Sequence, residues 1–535
     1  MRNASWWNLL VLGTLGVGCG RTSLLSPSPA DTQHGGSAAG GGKSLPSFGG
    51  VGNAGAPPSL GGSFGIAGTS TAGGTFAAAG SPAGGVSTGG APSSDDCRLA
   101  VGDCRLPDET ECAQHPSCDG GVVGHLEFGE HDAQVLDIAV STSGSVAIVG
   151  AFRGSIDFGG KSKPLISQDS GDTQTDGFVA LFDFLGSTEW SHAFGGEGSQ
   201  LATGVHFASN GDVVVQGALK GVPVANAPGA FVSRLDGAGH ELWNWLGGNA
   251  DILPGRVGCD NDGNIVLSGS FANTLSFAGA TLSGPNLDGY LIKLNPDGKL
   301  LWARDVLPDG WRFANVTSVA VDDEDNIVVA GNGQRGDGNF AAFFRKLGSN
   351  GDPALTEELF ATGGIRLWGV AVDREMRPLV VGDFRGRLTS YGETYESSSP
   401  TGGDLWVAAY TRQGDLAWQR VVASGGKGAL ARGVAVDPFG NVVVSGVASG
   451  IELDGELSVP DVARAKYGVY VLKLRPDSDT VWLRWFEGAS SQTAVATNNQ
   501  GNVWLAGAFT GKFWVGADVA QSLDGSQAYL LELSP

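Results

Sequence analysis

Side chains able to do chemistry are thinly spread through this chain of 535 residues. None of the seven histidines, at 34, 115, 125, 131, 192, 206 and 240, sits in a recognisable catalytic motif, although a nucleophilic triad is assembled through space and needs no local signature. The H-E-x-x-H metal pattern and the G-x-x-x-x-G-K-S/T phosphate loop are both missing from the sequence. Two acidic turns, Asp260-Asn261-Asp262-Gly263-Asn264 and Asp322-Asp323-Glu324-Asp325-Asn326, open like calcium loops but lack the spaced downstream Glu that completes an EF-hand. They stand where other repeats have a plain hairpin turn, so they are read as structural turns, with no metal and no cofactor. What remains are arginines and aromatics in variable segments: Trp311, Arg312, Arg335, Arg366, Arg385, Arg387, Tyr391 and Tyr395. Aromatics beside arginines stack on sugars or anchor a protein partner. These are the candidate ligand-face residues, and no catalytic residue is assigned.

The net charge of −22, from 55 acids against 33 bases, opposes binding to polyanions, and no Lys/Arg run offers a local exception. Nucleic acid is thereby excluded as a partner. Glycine supplies 88 residues and is concentrated between Gly35 and Gly90, among Ser, Ala and Pro. A segment so poor in apolar side chains cannot offset the entropy of ordering, and 20–95 is read as a disordered linker. Ahead of it, Arg2 and an apolar run from Trp6 to Val17 have the order of a secretory signal. Leu15-Gly16-Val17-Gly18-Cys19 resembles the bacterial lipoprotein signal, in which the cysteine after a small residue is lipidated and becomes N-terminal; Gly16 stands where that family usually has Leu. The expectation is a signal at 1–19 and a membrane-anchored lipoprotein of the outer membrane or cell surface, held by lipid on Cys19 alone. A secreted or periplasmic protein is the alternative. Cys97, Cys104, Cys112 and Cys118 crowd into 96–120, which reads as a small piece stapled by two disulfides of undetermined pairing. Zinc is the rival for these thiols, but no C-x-x-C pair is present. Cys259 stands alone within a repeat and reads as a packing residue.

The elements that must position the candidate residues come from a repeat. A β-branched strand closing on glycine recurs at 150, 217, 269, 331, 382, 446 and 507, a mean spacing of roughly 60 residues that suits four short strands. Gly-Ser, Gly-Asp and Gly-Asn pairs at 144, 211, 263, 440 and 501 supply the positive φ that tight hairpins need. Gly186, Gly239, Gly298 and Gly414 each precede a tryptophan by four residues, at Trp190, Trp243, Trp302 and Trp418, a spacing read as packing between repeats. The last unit runs out of chain after its third strand, and residues near 123–128 precede the first unit, so they are expected to complete the last one and remove an exposed edge. On these residues, 121–535 resembles the seven-bladed β-propeller repeat of bacterial exported proteins, with looser similarity to NHL-type propellers. The resemblance implies an all-β fold of four-stranded antiparallel blades and hardly any chemistry. Leu355 replaces the tryptophan in unit four, and Arg377-Pro378 replaces the Gly-Asn turn in unit five.

In such a fold both sets of tight turns lie at one end, and the long connections 153–176, 383–404 and 447–466 emerge at the other, where binding usually sits. The function expected from sequence is a non-enzymatic envelope or surface module, monomeric, presenting these loops to a protein or glycan. A polysaccharide-acting enzyme, lyase or hydrolase, is one alternative, and a structural envelope protein without a discrete ligand is another. Clustered carboxylates with perturbed pKa in one cleft at the loop end would mark the enzyme, and an open, mixed surface the binder.

Overall fold

The computed structural model describes residues 120–535 apart from 130, 169–173, 197, 221–228, 249–251, 400–401 and 461–465. Cys19, Cys97, Cys104, Cys112 and Cys118, with the signal and linker segments, lie outside the described residues. All regular structure among the described residues is β-strand in antiparallel sheets, propeller-like in organisation.

Each sequence repeat forms a meander. Unit one is His131–Val140, Val146–Arg153, Asp176–Phe182 and Thr188–Phe194. Unit two is Ser199–Phe207, Val213–Lys220, Ala230–Leu235 and Glu241–Gly247, and unit three is Ile252–Cys259, Ile265–Phe277, Ala280–Leu294 and Leu300–Asp305. Unit four is Trp311–Val321, Ile327–Arg335, Phe340–Leu347 and Pro353–Ala361, and unit five is Ile365–Val372, Pro378–Phe384, Asp404–Tyr410 and Leu416–Val422. Ala429–Val436, Val442–Ala448 and Gly468–Leu474 lead into the long strand Thr480–Thr497, which also pairs with Val503–Val515 and so joins the sixth unit to the last. Asp518–Leu533 follows, and Val122–Phe128 pairs antiparallel beside it, Phe128 opposite Ala528. The first strand of each unit touches the first strand of the next, and His131–Val140 touches Thr480–Thr497.

The glycine that closes each second strand has a steric cause. A third-strand aromatic lies directly across from it, as in the pairs Gly217–Phe231, Gly331–Phe343 and Gly446–Tyr470. A Cβ at Gly217 would come within 2.2 Å of the Phe231 ring. The Gly-before-Trp spacing is a contact between units. The Trp190 ring covers Gly239, Trp243 covers Gly298 and Trp302 covers Gly351. Each indole also donates into the neighbouring turn, Trp190 to Gly237 O at 3.0 Å and Trp243 to Pro296 O at 2.9 Å.

The acidic turns carry a second latch. Asp260 Oδ2 lies 2.8 Å from Lys293 Nζ, and Asp322 Oδ2 lies 3.3 Å from Lys346 Nζ, all four side chains buried. Asp212–Arg234 and Asp437–Lys473 repeat the pair at 2.8 Å each. The cation continues into the next unit, Lys293 donating to Ser349 O and Lys346 to Arg412 O. In unit five the third-strand position holds Ala409, and Arg377 supplies the cation from the turn itself, its Nε 2.6 Å from Asp373 Oδ2. The departure at Arg377 noted in the sequence thus compensates for the alanine.

The connections at the opposite end differ from expectation. Instead of projecting, they fold back as two-stranded ribbons. Ser155–Ile156 pairs with Leu165–Ile166, Arg387–Ser390 with Glu393–Glu396, and Ile451–Leu453 with Glu456–Ser458. Unit three and the last unit extend their own second and third strands into such a ribbon. Thr389 pairs with Phe360 on the fourth strand of the preceding unit, and Glu452 bridges Ala423, just past that strand in its own preceding unit. Ile156, Leu275, Leu388, Ile451 and Phe513 are buried by this return. Burial of one apolar side chain contributes about 1.5–3 kcal/mol, which is why these segments lie down rather than stand out.

Candidate functional site

The predicted ligand-face residues do not form one surface; they separate into three places. On the outer ribbon of unit five, Arg387 Nε donates to Glu396 Oε1 at 2.6 Å, the Tyr395 hydroxyl bonds Glu393, and the Tyr391 ring lies 6.1 Å from Tyr410. Burial and neighbouring carboxylates push the Tyr391 and Tyr395 phenols up to about 12. Arg385 is half-buried, with its backbone bonded to Gly363 and Gly364.

A second group gathers where unit three passes into unit four. Trp311, expected on the ligand face, is buried in the core, edge-on to Phe343 at 5.5 Å. It is large and apolar and begins a strand, so the core claims it. Arg312 is exposed beside it and accepts Asn286 Nδ2–H on its carbonyl, while Arg335 faces Asp337 and Glu358 at 3.9 and 3.8 Å. Close to this junction is a residue the sequence did not single out. Asp288 has no exposed surface, and neither carboxylate oxygen has a hydrogen-bond partner. The equivalent Asp404, opposite Phe384 as Asp288 is opposite Phe271, accepts bonds from the backbone and hydroxyl groups of Ser398 and Ser424 at 2.6–2.9 Å. At Asp288 the returning ribbon offers only Gly284, where a Cβ would lie 1.4 Å from Oδ2. Burial first, then the charge of exposed Asp305, raises the Asp288 carboxyl from 3.8 to about 6.

The third place joins units five and six. Each first strand contains a bulge, which re-aims one or two residues. Thr203 and Thr317 occupy it in units two and four, each bonding a carbonyl of its own unit and one of the next. In unit three Arg256 sits there and pairs with Asp137 of unit one. In units five and six the bulge carries Trp368 and Arg432. Asn332 of unit four fixes the Trp368 bulge, its Nδ2 donating to Leu367 O and its Oδ1 accepting Leu367 N–H, both at 2.8 Å. The buried Asp383 accepts Trp368 Nε1–H at 2.6 Å and Arg366 Nη2–H at 2.9 Å. The Arg366 and Arg432 guanidiniums lie 5.2 and 4.6 Å from the centre of the same indole. Burial lowers the Arg432 pKa, Asp383 opposing that shift and Arg366 adding to it. Only Arg366 of this cluster was predicted. A bulky bulge residue just before Gly369 or Gly433 was the available signal, since Thr203 precedes Gly204 in the same way.

Cys259 is a free thiol pushed up to about 12 by burial, with Arg234 opposing and Asp260 adding, in keeping with a packing role.

No family model matches the chain, and no curated protein matches it. Among solved structures it is similar to the quinohemoprotein alcohol dehydrogenase of Comamonas testosteroni, at 11% identity over 77% of this chain and 76% of that one, TM-score 0.38. A variant of the Synechocystis apocarotenoid oxygenase gives 12% identity over 76% and 93%, TM-score 0.36, and the Hadza microbial sialidase Hz136 gives 10% over 77% and 96%, TM-score 0.33. At these values the likeness assigns no activity to this chain. The expectation of a non-enzymatic module is corrected to this extent: the solved structures the chain is similar to are enzymes by name.

Proposed function

We propose that this protein is a polysaccharide-acting enzyme, a hydrolase or lyase, on a seven-bladed ring closed by Val122–Phe128. The observation that carries the reading is Asp288: a covered carboxylate with no hydrogen-bond donor, raised to about 6 by burial and then by the charge of Asp305. Glycosidic cleavage needs one carboxyl that holds its proton and one that stays ionised. Asp288 serves as the proton-transferring group and Asp305 as the second carboxylate. The ribbon bearing Gly284 must lift for a substrate to reach Asp288. Closure of the ring is supported by the pairing of Phe128 with Ala528 and by Trp482 covering Gly120 while donating to Pro535 O.

The test is turnover by the full mature chain on a panel of neutral and acidic polysaccharides, followed by reducing-end release and by absorbance of unsaturated products. Asp288→Asn should lower kcat by about 10²-fold or more with unchanged folding. Absence of turnover on every substrate, or full activity in Asp288→Asn, overturns the reading. Export, with a lipid on Cys19 as the membrane anchor and a glycan as partner, completes the proposal; mature protein in the aqueous phase of a detergent partition, without an N-terminal lipid by mass spectrometry, would refute the anchor.

A further inference from the structure

We propose that Arg366, Trp368 and Arg432 form a binding site for a carboxylate-bearing sugar ring, such as a uronate residue of an acidic glycan. The argument begins with charge. Two guanidiniums and the single carboxylate of Asp383 leave one positive charge in a chain whose overall charge is −22. Both Asp383 oxygens are already used, by Arg366 and by the Trp368 indole. Among the described residues Arg432 has no ion pair, and its one hydrogen bond goes to Ala431 O of its own strand at 3.2 Å. Arg432 is half-buried and none of its nitrogens is among the buried atoms that lack a partner, so its remaining donors face solvent, where an anion can reach them.

Geometry supplies the rest. Trp368 and Arg432 are bulge residues on edge strands of their sheets, and Arg366, Trp368 and Arg432 all keep exposed surface. Asp383 fixes Arg366 and the indole nitrogen, and Asn332 fixes the backbone of Leu367 just before Trp368, so the donors are held before a ligand arrives. Guanidinium pairs a carboxylate with two parallel bonds, and the indole beside it gives the ring that bears the carboxylate an apolar contact. The inference is independent of the catalytic role given to Asp288, because binding is read without turnover.

The experiment is calorimetric titration of the full mature chain with short oligogalacturonides, with the same oligosaccharides after carboxyl reduction, and with acetate alone. Expected are salt-sensitive binding of the acidic oligosaccharide, none of the reduced form, and weakening by about ten- to a hundredfold in Arg432→Gln. Arg432→Lys should retain part of the affinity, and Lys299→Gln, at an exposed turn of unit three, all of it. Equal affinity in wild type and Arg432→Gln, or no binding by a correctly folded wild type, overturns the site. Acetate binding that depends on Arg432 while the oligosaccharide does not bind overturns the assignment to a sugar ring.

Discussion

Moving the half-buried cation of unit five from Arg377 to position 409 tests the latch that recurs between these sheets. Arg377 Nε lies 2.6 Å from Asp373 Oδ2, with the aspartate side chain 5% and the arginine 29% exposed. Arg377→Asn removes the cation but leaves Asp373 with backbone bonds from residues 375 and 377 at 2.9 and 2.8 Å. Stripping one partner from a buried pair costs about 3–5 kcal/mol, and the surviving bonds place this case near 3 kcal/mol. Ala409 faces Trp418 across the strand pair, as Lys473 faces Trp482 and Lys293 faces Trp302. A cavity of about 10 Å³ borders Ala409, Asp373 and Trp418, too small for a lysine tail while Arg377 is present. Ala409→Lys alone should therefore cost about 1–3 kcal/mol through crowding. With Asn at 377 the lysine has both room and an unpaired carboxylate, so the double variant should lie within about 1 kcal/mol of wild type. The coupling is then about 3 kcal/mol or more, measured by urea denaturation of the four proteins with fluorescence and circular dichroism as parallel probes. Additive losses in the double variant would show that Arg377 does not replace the missing lysine.

Two further outcomes concern Asp288. Its carboxyl titrates near 6 folded and near 3.8 unfolded, so the folded state holds the extra proton between these values and stability falls as pH rises through them, by up to about 3 kcal/mol. Denaturation from pH 4 to pH 7 should show this slope in wild type and a flatter one in Asp288→Asn; parallel curves would refute it. Gly284→Ala places a methyl against Oδ2 and should cost about 1–3 kcal/mol, most of it recovered by adding Asp288→Ala; no recovery would mean that the collision is relieved elsewhere.

The repeats were legible because their causes are local. Gly217 must leave room for Phe231, and Gly239 for Trp190, so the residue types recur wherever the contact recurs. The ribbons were not read, although Ile156 and Phe158, or Leu275 and Phe277, alternate as strands do; in short polar connections that spacing is easily lost among Gly, Ser and Asp. Asp288 and Asp404 look alike in sequence, and what separates them is a pair of serines that folding brings to one and not the other. Trp368 and Arg432 escaped for another reason. A bulge has no side-chain period of its own, so reading the first strands by alternation gives these residues the wrong face.

The bulges also allow the cost of a site to be measured against its structural alternative. Thr203 Oγ1 lies 3.3 Å from Gln216 O and 3.1 Å from Gly255 O, and Thr317 Oγ1 reaches Ala330 O and Leu367 O at 3.2 and 3.0 Å. A threonine at this place ties its own second strand to the next unit. Arg432 makes neither bond, although Gly433 after it matches Gly204 after Thr203. Arg432→Thr should therefore hold stability or raise it by about 1 kcal/mol, since a half-buried unpaired cation is exchanged for hydrogen bonds. Asp383 keeps both of its partners in this variant, so the rest of the cluster stands. The same protein should lose binding to acidic oligosaccharides. Stability gained together with binding lost is the pattern of a residue kept for a ligand. A loss of more than about 2 kcal/mol would instead make Arg432 part of the packing between units five and six.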